Sequence, residues 1–223
     1  MTHIAPIRRT QEQRTSLSEQ RMCAAAISLL VDKGLVGTTL SAIGENAGYS
    51  RGLVTHRFGS KAKLLAHVHD TVVADWIARV KSGVGDAVGV KALLNVVDVL
   101  YGFIAEVPDE IRAMYLLRYA SIDPGSEFRA NVAKGHRAQR RDVQHWIEAG
   151  QEQGSVDPGL DAGLTGELFC TAVDGLIYRW LVTPTLPVQE LHELLKQQVA
   201  DSMSRARASA ADHAPQEPSR EFS

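Results

Sequence analysis

The residues best equipped for chemistry lie between Thr38 and Lys61, where hydroxyls, a guanidinium, an imidazole and ammonium groups recur at helical spacing. Thr39 and Ser50 each precede a short helical run, the position where a side-chain oxygen accepts an orphan amide N–H. Leu40, Ile43 and Ala47 fall at i, i+3 and i+7, a stripe for burial, and Gly48 suits the left-handed residue that ends a helix. A second short helix follows after about three residues, the spacing of a helix-turn-helix. On it, Leu53 and Val54 can face inward while Arg51, Gly52, Thr55 and His56 project outward. Gly52 exposes backbone and permits close approach of a partner. Ser60 heads the next helix, whose first turn holds Lys61 and Lys63. Cations sit poorly at that positive helix end unless an anion is near. The chemistry implied is the gripping of a polyanion, with no bond made or broken.

Other reactive residues point to less. His67 and His69 are two apart on a helix and so diverge, whereas helical metal pairs are spaced by three or four. Asp70, at i+3 from His67, could pair with it, but solvent exposure is expected there, and no metal or cofactor is expected. Cys23 and Cys170 read as small core residues without a His or CxxC partner. No G-x-S-x-G, phosphate-binding loop or dinucleotide fingerprint occurs, so an enzyme lacks its catalytic constellation. Arg137, Arg140 and Arg141 read as a solvated helix face beside Asp142 and Glu148.

The elements that carry these residues are helical throughout. Apolar periodicity predicts helices near 11–33, 39–47, 50–57, 61–81, 90–106, 109–120, 126–152, 161–182 and 188–205. Gly34, Gly48, Pro108, the Asp123-Pro124-Gly125 and Asp157-Pro158-Gly159 turns and Pro184 punctuate them. The first helix start is ambiguous, since Ser16 with Glu19 can form a capping box within it. The expected fold is all-α with about nine helices: an arm at 1–10, a helix-turn-helix domain at 11–60, and a helical body at 61–205. A connecting helix at 61–81 opens the body, and a disordered tail occupies 206–223. Residues 1–65 carry a net charge of +5 and the remainder −7. A basic head on an acidic body suits a polyanion-binding module joined to a part that should avoid the polyanion. No run approaches the ~18 apolar residues of a membrane span, and Arg8 and Arg9 are not followed by an apolar leader region. With two isolated thiols, a reducing cytoplasm is expected.

The run Thr39-Leu40, Ile43, Ala47-Gly48, Ser50, Arg51-Gly52, Phe58 and Ser60-Lys61 resembles the signature of the TetR family of transcriptional regulators, with Ala24-Ala25 and Gly34 at the expected distance upstream. The resemblance covers about residues 20–65. Three positions depart from the pattern: Tyr49 replaces a small aliphatic, Gly44 an alanine, and Thr55 a tyrosine that often contacts phosphate. The resemblance implies a homodimer on double-stranded DNA, with the 50–57 helix in the major groove of a near-palindromic operator. Arg51 is then the candidate guanine contact, against a phosphate or solvent role. Thr39 and Lys61 would grip phosphate, with Tyr49, Ser50, Gly52, Thr55 and His56 alongside. Residues 161–205 resemble the dimerising helix pair, with Phe169, Val173, Leu176, Ile177, Trp180, Leu191 and Leu195 as interface. The resemblance also implies a pocket for a small, largely apolar effector that releases the repressor. Trp76, Tyr101, Phe103, Met114, Tyr115, Tyr119, Trp146 and Tyr178 are candidates for its wall, with Asp174 and Arg179 as polar groups. A DNA-bound scaffold that recruits a protein partner without an effector is the competing expectation.

Overall fold

The computed structural model describes residues 10–106 and 108–204; positions 1–9 of the expected arm and the whole of the expected tail lie outside the described residues. Within them the chain is all-α. Its helices are α1 (Gln11–Gly37), α2 (Leu40–Ala47), α3 (Arg51–Phe58), α4 (Lys61–Val84), α5 (Gly89–Glu106), α6 (Pro108–Ala120), α7 (Arg129–Glu152), α8 (Ala162–Val182) and α9 (Val188–Ser204).

Local chemistry sets the helix ends around the helix-turn-helix. Thr10 and Gln13 form the capping box of α1: the Gln13 N–H donates to the Thr10 hydroxyl at 3.2 Å, and the Thr10 N–H to the Gln13 side chain at 3.0 Å. The Ser16–Glu19 alternative is not used, and Glu19 serves elsewhere. Gly34, at φ +66°, kinks α1 near its end, and Thr38 closes the kink by donating both its N–H and its hydroxyl to the Gly34 carbonyl. Gly48 ends α2 in the left-handed region at φ +78°, where any side chain would be strained. Ser60 accepts the Lys63 N–H and so caps α4.

The chain divides into two compact units, residues up to Trp76 with Glu106–Gly135, and Ile77–Ala105 with the chain from His136 onward. In the first unit, Met22, Ala26 and Leu30 of α1 share a core with Ile43 of α2, Val54 of α3 and Leu64 and Leu65 of α4. Helix α6, which the sequence reading assigns to the body, adds Ala113 and Leu117 to this core. Seven fully buried side chains behind two helices of eight residues each are what hold such short helices in place, since isolated helices of that length are unstable in water. In the second unit a polar tie joins α5 to α9: Asp98 Oδ1 accepts from His192 Nε2 and Lys196 Nζ, each at 2.8 Å. The hydrogen bond to Asp98 raises the pKa of Lys196.

Candidate nucleic-acid interface

Helix α3 separates its residues cleanly. Val54 is fully buried and Leu53 and Phe58 pack half-buried on the core, while Arg51, Gly52, Thr55 and His56 lie exposed together on the opposite side. The Ser50 hydroxyl accepts the Leu53 N–H at 3.2 Å, and the Thr39 hydroxyl accepts the Ala42 N–H at 3.1 Å. Each cap uses an oxygen lone pair and leaves the O–H proton to donate outward. Both capping residues are exposed. The described face therefore presents hydroxyl donors, a guanidinium, an imidazole and two helix N-termini, with no carboxylate among Thr39, Ser50, Arg51, Gly52, Thr55 and His56.

Two glycines in this head have opposite reasons. A Cβ at Gly44 would lie 2.8 Å from the Tyr49 carbonyl oxygen and 3.2 Å from the Arg51 nitrogen, both backbone atoms that cannot yield cheaply. The Gly44 carbonyl also accepts the Tyr49 N–H at 2.7 Å. The turn thus sits directly on α2, which explains the departure from alanine, and Tyr49 itself is half-buried against the core. At Gly52, by contrast, an added Cβ would meet only the Ser50 hydroxyl oxygen, at 3.8 Å. Nothing in the described fold requires a glycine there.

The two lysines of the α4 first turn also differ. Lys61 Nζ donates to the Leu35 carbonyl near the end of α1, and burial lowers its pKa. Its ammonium is thus engaged within the head, a partner that spacing alone does not reveal because it lies 26 residues away. Lys63 is exposed at the same helix end. Arg57, absent from the expected site, lies on the buried side of α3 with Nη1 3.5 Å from Glu19 Oε1.

His67 is exposed and its ring lies 5.5 Å from that of Phe58, whereas His69 is buried. It shares the inward stripe of Leu65 and Val72, and its Nδ1 is 3.3 Å from Asp70 Oδ1. Among the described residues no group of three His, Cys, Asp or Glu gathers to hold a metal. Arg140 is paired to Gln144 and Glu167, whereas Arg137 and Arg141 are exposed.

Of the expected interface residues, Phe169, Val173 and Ile177 are buried within the single chain, and Leu176, Trp180, Leu191 and Leu195 are half-buried. The apolar side chains that α8 leaves open are instead Leu164, Leu168, Tyr178 and Val182, each 41–72% exposed. Because α8 is apolar on more than one side, spacing could not say which side faces inward.

The eight expected wall residues fall four to each unit. Trp76, Met114 and Tyr115 of the first are buried, and Tyr119 is 45% exposed, its ring 6.5 Å from that of Tyr115. In the second, Phe103 is buried under the Arg79 guanidinium, Trp146 is half-buried, and Tyr101 and Tyr178 are exposed. The Tyr101 ring stacks on His192 at 4.9 Å. A cleft of about 210 Å³ in the second unit lies between the Gln151–Pro158 turn and Met203, and none of the eight lines it.

Residues 23–68 match the family model described as bacterial regulatory proteins, tetR family. Over 62 residues the chain is 37% identical to the HTH-type transcriptional regulator CymR of Pseudomonas putida, a match covering 28% of this chain and 30% of that one. The chain thus spans under a third of the length of this curated relative. Solved structures share the fold along most of the chain. The fatty acid degradation regulator FadR of Bacillus halodurans has a TM-score of 0.74 at 15% identity, over 89% of this chain and 99% of its own. FadR of Bacillus subtilis, in complex with stearoyl-CoA, has a TM-score of 0.72 at 16% identity, covering 81% and 97%. A TetR transcription regulator of Haloarcula marismortui gives 0.74 at 20%, covering 84% and 98%. The segment at residues 23–68 is thus similar to the tetR family of bacterial regulatory proteins, and the all-α fold is shared with these solved structures along most of the chain.

Proposed function

We propose that this protein is a DNA-binding transcriptional repressor that grips a near-palindromic operator as a homodimer and is released by a small, largely apolar effector. The observation that carries the DNA reading is the outer face of α3. Arg51, Gly52, Thr55 and His56 stand exposed on one side, and Gly52 has no steric reason within the fold. A helix of this length, presented at the end of a buried two-helix pack, fits the major groove with Arg51 toward a guanine edge. Thr39, Ser50 and Lys63 hold phosphates at helix N-termini. Lys61, held to Leu35, acts chiefly through the geometry of that helix start.

The dimer reading rests on the open stripe of α8. Leu164 and Leu168 are four residues apart, as are Tyr178 and Val182, and the ten-residue step between the pairs keeps all four on one side of α8, a seam that a second copy of the same helix fills across a two-fold axis. The effector reading rests on the likeness to FadR, whose solved complex holds stearoyl-CoA, and on the aromatic content of the helices.

The deciding experiment selects duplexes from a randomised pool with the purified protein, then measures affinity across a salt series. The expected result is a two-fold-symmetric sequence, with log affinity falling by about 0.9 per phosphate neutralised per log unit of salt. Recovery of no preferred duplex, together with salt-independent retention, would overturn the reading.

A further inference from the structure

We propose that Arg57 and Glu19 form a positioning pair that sets the rotation of α3 on α1, and through it which α3 side chains reach a base edge. The proposal rests on the DNA reading above. Arg57 lies in the last turn of α3, on the side of Val54 and Leu53 and opposite Arg51 and Thr55. Its side chain is 24% exposed, that of Glu19 is 35% exposed, and Nη1 stands 3.5 Å from Glu19 Oε1. Arg57 Nε is buried and finds no acceptor among the described residues, so the cation is partly desolvated and its compensation comes from the Glu19 charge. The field of Glu19 is also felt along α1. The thiol of Cys23, one helical turn on, is pushed up to about 11, first by burial and then by the Glu19 carboxylate.

The physical need for such a pair follows from the length of α3. Its eight residues are anchored on the core by Val54, Leu53 and Phe58, and apolar burial has no direction. Turning the helix about its axis by about 20° costs little buried area, yet moves the tip of an arginine by about 3 Å, the length of a hydrogen bond. An ion pair between the last turn of α3 and a carboxylate fixed on α1 gives that rotation a preferred position, because the attraction weakens as the two groups move apart. Arg57 faces inward, toward a carboxylate, and is therefore a positioning residue and not a phosphate contact.

The test compares Glu19→Gln, Arg57→Gln and the double variant with the wild type. The readouts are affinity for the duplex selected by the wild type, affinity for random-sequence duplex, the salt dependence of both, and amide exchange of the free protein. The expected result is a loss of roughly five- to tenfold on the selected duplex for each single variant, with the double variant no worse than either. Affinity for random duplex and the salt slope stay unchanged, and exchange quickens in α3 but not in α1 or α2. The proposal is overturned if Arg57→Gln flattens the salt slope by about one phosphate and weakens both duplexes alike, which would make Arg57 a backbone contact. Additive single effects, or α3 amide exchange unchanged in both single variants, would overturn it equally. If the wild type selects no duplex, the DNA reading falls, and amide exchange still decides the pair.

Discussion

Replacing Gly52 with alanine separates what the fold needs from what a partner needs. Gly52 is the second residue of α3, and its helical backbone needs none of glycine's freedom, since its φ is not positive. A methyl there meets only the Ser50 hydroxyl at 3.8 Å, an ordinary van der Waals contact. Alanine should therefore relieve the entropic penalty of glycine in a helix and stabilise the fold by about 0.5–1 kcal/mol. For a chain of this length that raises Tm by about 1–4 °C in a calorimetric or circular-dichroism melt. On the DNA reading the methyl intrudes where the backbone approaches the groove. It should then cost at least about 1.4 kcal/mol, a tenfold loss of affinity for the selected duplex by fluorescence anisotropy. A more stable protein that binds less well is a combination that general damage cannot produce. If Gly52→Ala is more stable and binds as tightly as the wild type, the α3 outer face is not the contact surface.

Other perturbations check neighbouring parts of the structure. Gly44→Ala drives a Cβ to 2.8 Å from the Tyr49 carbonyl, so it should destabilise by about 1–3 kcal/mol and lower Tm in the same melt, the reverse of Gly52→Ala. Leu168→Glu places a charge on the open α8 stripe. It should shift sedimentation toward the monomer with little change in helicity, whereas an unchanged sedimentation coefficient would remove α8 as the seam. The Cys23 thiol, raised from 9.0 to about 11, stays neutral in the fold at pH values where the unfolded chain ionises it. Its contribution to stability is thus present below about pH 9 and lost as pH rises toward 11, so urea midpoints should fall more over that window in the wild type than in Cys23→Ala. Thr39→Ala removes the α2 cap and should cost about 1 kcal/mol of stability by the same measurement.

The all-α class, the approximate positions of the helices and the helix-turn-helix were legible in the sequence because their causes are local. Thr39 and Ser50 cap the helices they precede, and Gly48 ends α2 in the left-handed region. The outward face of α3 follows from periodicity over eight residues. What stayed hidden depends on partners distant along the chain. Lys61 reads as a free cation until the Leu35 carbonyl is placed beside it, and Arg57 acquires its role only from Glu19 on another helix. Gly44 and Gly52 are indistinguishable as letters, and only the packing of the 49–51 turn on α2 tells the obligatory glycine from the optional one. On α8, apolar residues around the helix left its inward side undetermined until the tertiary fold buried Phe169, Val173 and Ile177 and exposed Leu164 and Leu168. Periodicity over a few residues reports secondary structure, but which surface is buried, and which charge is spent inside, is decided by the element packed against it.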